Sequence, residues 1–195
     1  MRTSLAVLAV LALGCGGDDT PAGDADAAVD PDGGASVDAP PVVGEPPGLV
    51  GTVDAHNAAR AAVGVGPLTW DPALAQIADT WVRQCVDTQA PTGLVDHNAG
   101  RSNGYPTYVG ENIYGSGGSA SGTAAVTSWV NEQQYYHHAT NSCDSGRICG
   151  HYTQVVWRDT TKVGCALYTC PGFQYGATVV CNYGPGGNVG GQAPY

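Results

Sequence analysis

A chain of 195 residues with a formal net charge of −10 has room for one domain, or one domain and a tail. The charge is uneven: residues 16–47 hold seven Asp, one Glu and no Lys or Arg, while residues 48–195 hold nine acidic and six basic residues. With no basic patch to neutralise phosphates, the composition argues against nucleic acid as a partner.

In chain order, Arg2 and the apolar run Leu5–Leu13 come first, and residues 1–14 read as an export signal. The run is too short to span a bilayer, which takes ~20 residues. Ala12-Leu13-Gly14-Cys15 resembles a bacterial lipobox. That resemblance implies cleavage before Cys15, acylation of Cys15 and an outer-membrane lipoprotein on the periplasmic or the cell-surface side. Residues 15–47 are almost wholly Asp, Ala, Gly, Pro and Val without aromatics. Such a stretch cannot bury enough apolar area to offset the entropy of ordering, so a disordered linker is expected before a domain at 48–195.

Thr52–Val63 reads as a helix containing HNAAR (56–60). Asp71 followed by Pro72 marks a second helix start, with Leu74, Ile77, Trp81 and Cys85 as its buried stripe. Residues 92–121 and 137–149, rich in Gly, Ser and Asn, read as loops around a third helix, Thr123–Tyr135, with Val126, Trp129 and Val130 on one face. Residues 151–157 alternate, with His151, Thr153, Val155 and Trp157 on one side, and predict a strand. Val163–Thr169 and Ala177–Tyr183 predict a hairpin centred near Phe173, with Cys165 opposite Cys181. Helices and strands together suggest an α+β layered domain. Beyond Cys15 there are six cysteines, an even number that reads as a disulfide framework in an oxidising compartment.

Six segments carry a resemblance to the secreted CAP superfamily, which includes the plant pathogenesis-related class 1 proteins, antigen 5 and the cysteine-rich secretory proteins. They are HNAAR, PLTWDPALAQIADTWVRQC (67–85), GENIYG (110–115), WVNEQQYY (129–136), GHYTQVVWRDTTKVGCA (150–166) and CNYGPGGNVGGQAPY (181–195). The resemblance implies a three-layered α-β-α sandwich with disulfides Cys85–Cys170, Cys143–Cys149 and Cys165–Cys181. It also implies a cleft lined by His97, Glu111, Glu132 and His151.

Chemically, two imidazoles such as His97 and His151 can hold a divalent metal like Zn²⁺ weakly, leaving positions open to water. Carboxylates beside them can orient the rings or hold a water as general base. The same four residues can equally form a polar network that only fixes the loops. His56 reads as a packing histidine, and His137 and His138 as solvated surface. The resemblance also suggests a lipid or sterol-like ligand near Tyr135 and Tyr136. No G-x-S-x-G elbow is present. Two functions remain open: a non-enzymatic, surface-tethered monomer, membrane-bound through its lipid, whose cleft binds an apolar ligand, a metal or an envelope partner; or a metal- or water-dependent hydrolase using Glu111 and Glu132.

Overall fold

A computed structural model describes residues 44–90 and 92–195. The expected signal, Cys15 and the linker up to residue 43 lie outside the described residues. Ahead of Gly48, Glu45 already belongs to the ordered part. Its carboxylate accepts from the Gly51 and Val53 N–H groups at 2.7 and 2.5 Å, at the start of helix α1 (Thr52–Ala62). Since Gly51 has no capping side chain, Glu45 satisfies donors that the helix would otherwise leave open.

Strand β1 (Thr69–Trp70) leads into α2 (Pro72–Val82), whose first turn is capped by Asp71 accepting from Ala73 and Leu74 N–H. Strand β2 (Gly110–Ser116) and α3 (Gly122–Val130) follow, and α3 tightens into a 3-10 turn at Asn131–Tyr135. A small hairpin, β3 (Tyr136–His137) with β4 (Ser142–Cys143), precedes α4 (Gly150–Val155). Strands β5 (Lys162–Thr169) and β6 (Ala177–Gly184) complete a sheet of order β1-β5-β6-β2, antiparallel except for the β1–β5 pair.

Three expectations need correction. Residues 151–157 do not form a strand: Gly150–Val155 is helical, and Tyr152 to Val156 are all buried. A segment enclosed on every side carries no readable period, so its apparent alternation has no structural meaning. GENIYG is not loop but strand β2, paired with β6 with Glu111 opposite Asn182. Helix α2 ends at Val82, and Cys85 lies beyond it in a left-handed conformation, φ 48°. The buried stripe of α2 is Leu74, Ala78 and Val82, with Ile77 and Trp81 only half-buried.

Alternate residues of β5 and β6 face opposite layers. Val163, Cys165, Val179, Cys181 and Tyr183 pack with Trp129, Val126, Tyr152 and Val155 under α1, α3 and α4. Ala166, Val180 and Ile113 pack with Ala78 and Val82 of α2. The result is a three-layered α-β-α sandwich. A side chain as large and as buried as Trp129 contributes about 3 kcal/mol of transfer free energy. Gly164 lets α2 lie directly on the sheet, because a Cβ there would stand 2.2 Å from the Ala75 nitrogen.

Disulfides join Cys85–Cys170, Cys143–Cys149 and Cys165–Cys181, the last between directly opposed residues of β5 and β6. Helix α1 buries a polar stripe of Thr52, His56 and Arg60. The Arg60 guanidinium donates to the carbonyls of Gly66, Val155, Trp157 and Thr160. Two of those acceptors lie at the C-terminal end of α4, where a cation is favoured by the helix dipole. His56 donates from Nδ1 to the Thr52 carbonyl at 2.8 Å, so its Nε2 accepts from the Tyr183 hydroxyl at 2.9 Å. Burial holds His56 down to about 4 and pushes the Tyr183 hydroxyl far above its ordinary value.

Candidate functional site

A loop and three different elements supply the four expected residues. His97 follows a turn fixed by Asp96, whose carboxylate accepts from the Thr88 N–H and hydroxyl and from the Gln89 N–H. The hydrogen bond from Thr88 N–H, despite the opposing effect of desolvation, holds the Asp96 carboxyl below its usual range. Glu111 stands on β2, Glu132 on the 3-10 turn after α3, and His151 in the first turn of α4. The Cys143–Cys149 disulfide ties the β3–β4 hairpin to the residue just before α4, which places His151.

The structure joins these residues as two pairs of the same design. The Glu111 carboxylate accepts from His97 Nδ1 at 2.7 Å and from the Asn98 N–H at 2.9 Å. The Glu132 carboxylate accepts from His151 Nδ1 at 2.6 Å and from the His151 and Tyr152 N–H groups at 3.0 and 3.1 Å. Each carboxylate thus holds both an imidazole and the backbone that carries it. Glu132 also caps α4 from outside, a role that α4's own N-cap residue, Cys149, does not fill. A carboxylate on Nδ1 makes that nitrogen the donor and leaves Nε2 with its lone pair.

His97 and His151 line one cavity of about 280 Å³, together with Glu111, Asn112, Ile148, Gly150 and Asn188. Glu132 stands behind His151 and does not line it. Trp129 lies nearly parallel to the His151 ring, centroids 6.3 Å apart. Among the described residues, no three His, Cys, Asp or Glu side chains come together as metal ligands. The four residues therefore do not form a closed four-ligand metal site.

Sequence reasoning missed three contributors. Asn112 donates both to the His151 carbonyl at 3.1 Å and to the Tyr183 hydroxyl at 3.2 Å, tying the cavity to the polar interior. Asn188 accepts from the Thr153 hydroxyl and donates to the Gly150 carbonyl, fixing the first turn of α4. Gln154 accepts from the Gly187 N–H and presses so close to Gly110 that a Cβ there would lie 2.0 Å from its oxygen. The GEN triplet, the GHYTQ run and the GPGGN run carry these residues, but nothing in their spelling states the contacts. Among the remaining histidines, His56 has both ring nitrogens bonded. His137 bonds Asp144 at 2.7 Å. His138 is exposed, as expected of solvated surface, and stacks on Tyr195 with centroids 4.3 Å apart. Tyr136 packs against Tyr152 and Tyr195, and the Arg147 guanidinium lies over Tyr135.

Residues 53–183 match the cysteine-rich secretory protein family, CAP. Pathogenesis-related protein 1B of Nicotiana tabacum is 49% identical over 144 residues, covering 73% of this chain and 78% of the relative. Among solved structures, Schistosoma mansoni venom allergen-like protein 4 superposes with a TM-score of 0.57 at 24% identity, covering 77% of this chain and 94% of its own. A structure of NaASP2 with Zn²⁺ gives 0.56 at 25% identity, covering 74% and 82%.

Proposed function

The chain belongs to the CAP family, and on that footing we propose that it is an exported binding module whose cavity between His97 and His151 takes Zn²⁺ weakly and reversibly. One observation carries this reading: both glutamates already accept from an imidazole and from backbone N–H groups. They act as holders of the imidazoles, as carboxylates behind metal-binding histidines do. A hydrolase would need one of them to take a proton from water: both oxygens of Glu132 are already engaged, and the Glu111 side chain, bonded through Oε1, is fully covered. His97 and His151 would bind through Nε2, and the ion would offer its remaining positions to a ligand oxygen. The zinc-bound NaASP2 structure gives the same fold a precedent.

Calorimetry of the wild type with ZnCl₂ at neutral pH tests the proposal. Measurable uptake that disappears in His151→Ala is the expected result. No heat with the wild type, or equal uptake in His97→Ala and His151→Ala, would return the four residues to a purely structural role. Acylation of Cys15 belongs to the same reading, motivated by the lipobox-like ALGC run, and places the module at the envelope. Cys15→Ser is then expected to move the protein from the membrane to the aqueous fraction. Retention in the membrane after that change would remove the tether from the proposal.

A further inference from the structure

Beside the histidine cavity lies a second one of about 350 Å³, which shares His97, Glu111 and Asn188 with it and adds Arg101 and Tyr108. Of the residues lining either cavity, only Arg101 carries a permanent positive charge. Its Nε donates to the Val109 carbonyl and one terminal nitrogen to the Asn98 carbonyl, both at 2.8 Å. The other terminal nitrogen donates to the Tyr108 hydroxyl at 3.1 Å. All three acceptors are neutral, and no carboxylate of the described residues pairs with Arg101. The nearby Glu111 side chain is fully covered and faces His97 and the Asn98 N–H. Each terminal nitrogen of the guanidinium therefore keeps a further N–H for an incoming acceptor.

Large apolar side chains stand exposed at the two cavities: Tyr108 lines the second and Ile148 the first. Tyr108 is 56% exposed and Ile148 66%, and Val189, next to Asn188, is 43% exposed. Together they are three of the five large apolar side chains exposed on the described surface. The segment that carries Arg101 is held in place. Its ends are bridged by the Arg101 bonds to Asn98 and Val109, the Tyr105 hydroxyl donates to Asp71, and the Gly186 N–H donates to the Tyr108 carbonyl. A preset guanidinium binds an anion without first having to be ordered.

We propose that Arg101 anchors a carboxylate subsite and that the ligand is a carboxylate at the end of an apolar chain. Its oxygens lie on the free guanidinium N–H groups, and its chain runs along Tyr108 toward Val189 and Ile148. A planar fork suits a carboxylate better than a point charge would. The subsite does not rest on zinc at the histidines, so the test is run with the full chain in chelator. Two acid–amide pairs serve as probes: octanoate against octanamide, and a short apolar peptide with a free C-terminus against its C-terminal amide. The wild type is expected to bind at least one acid at least tenfold more tightly than its amide, and to shift the Arg101 Nε–H resonance with the acid alone. Preference for octanoate identifies a lipid-derived source, and preference for the peptide acid a protein terminus. Arg101→Gln should abolish the preference and keep zinc uptake, which separates this proposal from the metal reading. Equal binding of acid and amide, no binding of either pair by the wild type, or an undiminished preference in a folded Arg101→Gln would overturn it. Since Arg101 also braces its segment, the acid–amide comparison on the wild type decides the matter should that variant fail to fold.

Discussion

His56 and His151 flank the same indole, Trp129, with ring centroids 6.2 and 6.3 Å away, yet they belong to regions of opposite character. Around His56 every polar group of the stripe is spent inside the fold: both ring nitrogens are bonded, and Arg60 has four carbonyls. Around His151 and His97 only Nδ1 is spent, and the other nitrogen is left to the cavity. The same residue type is thus closed into the fold in one place and open to a cavity in the other. The difference is made by what faces the second nitrogen.

If that division is sound, the interior should respond in stability and the cavity in binding. Arg60→Met should have the largest effect. It leaves four buried carbonyls without a donor and is expected to cost about 3–5 kcal/mol in urea unfolding. A loss under about 1 kcal/mol would mean that the stripe does not carry the fold.

A smaller effect is expected from pH. Burial lowers the His56 value from 6.5 to about 4, so the native state refuses a proton that the unfolded chain accepts. The contribution is complete above about 6.5 and is lost as pH falls toward 4. Between pH 7.5 and 4.5 this is on the order of 2–3 kcal/mol. Wild type should therefore lose that much more stability than His56→Gln over the same interval. Equal losses would assign acid sensitivity to other groups.

The smallest stability change is expected at His97, whose side chain is 57% exposed. His97→Ala should shift the melting temperature by about 2 °C or less while zinc uptake is lost. A drop as large as that of Arg60→Met would erase the distinction between the two regions.

Much of the frame was legible because local chemistry declares it. Asp71-Pro72 marks a helix start through a capping carboxylate and a preset φ. The β5–β6 hairpin places Cys165 against Cys181 by symmetry alone. The site was legible only through the spelling of the family motifs, because its four residues come from a loop and three separate elements, and spacing could not have joined His97 to Glu111 or Glu132 to His151. Failures occurred where tertiary contact decides structure. The stretch from Tyr152 to Val156 is enclosed on all sides and capped by a glutamate nineteen residues before His151. Strand β2 begins with a glycine that is there because Gln154 leaves room for nothing else. Arg101 and Asn188 gave no advance sign, since an arginine among Gly, Ser and Asn looks like any solvated loop charge.

Trp129 has a consequence for experiment that follows from its place between the two histidines. It is 2% exposed, so its emission is shielded from quenchers dissolved in the medium, while the His151 ring lies parallel to it. The chain has four tryptophans, and Trp129 is the one stacked on a histidine of the cavity. On the proposed function, an ion settling on His151 would draw electron density from that ring and change the quenching of its neighbour. Trp129 emission would then be an intrinsic optical gauge of the proposed site, readable without a label.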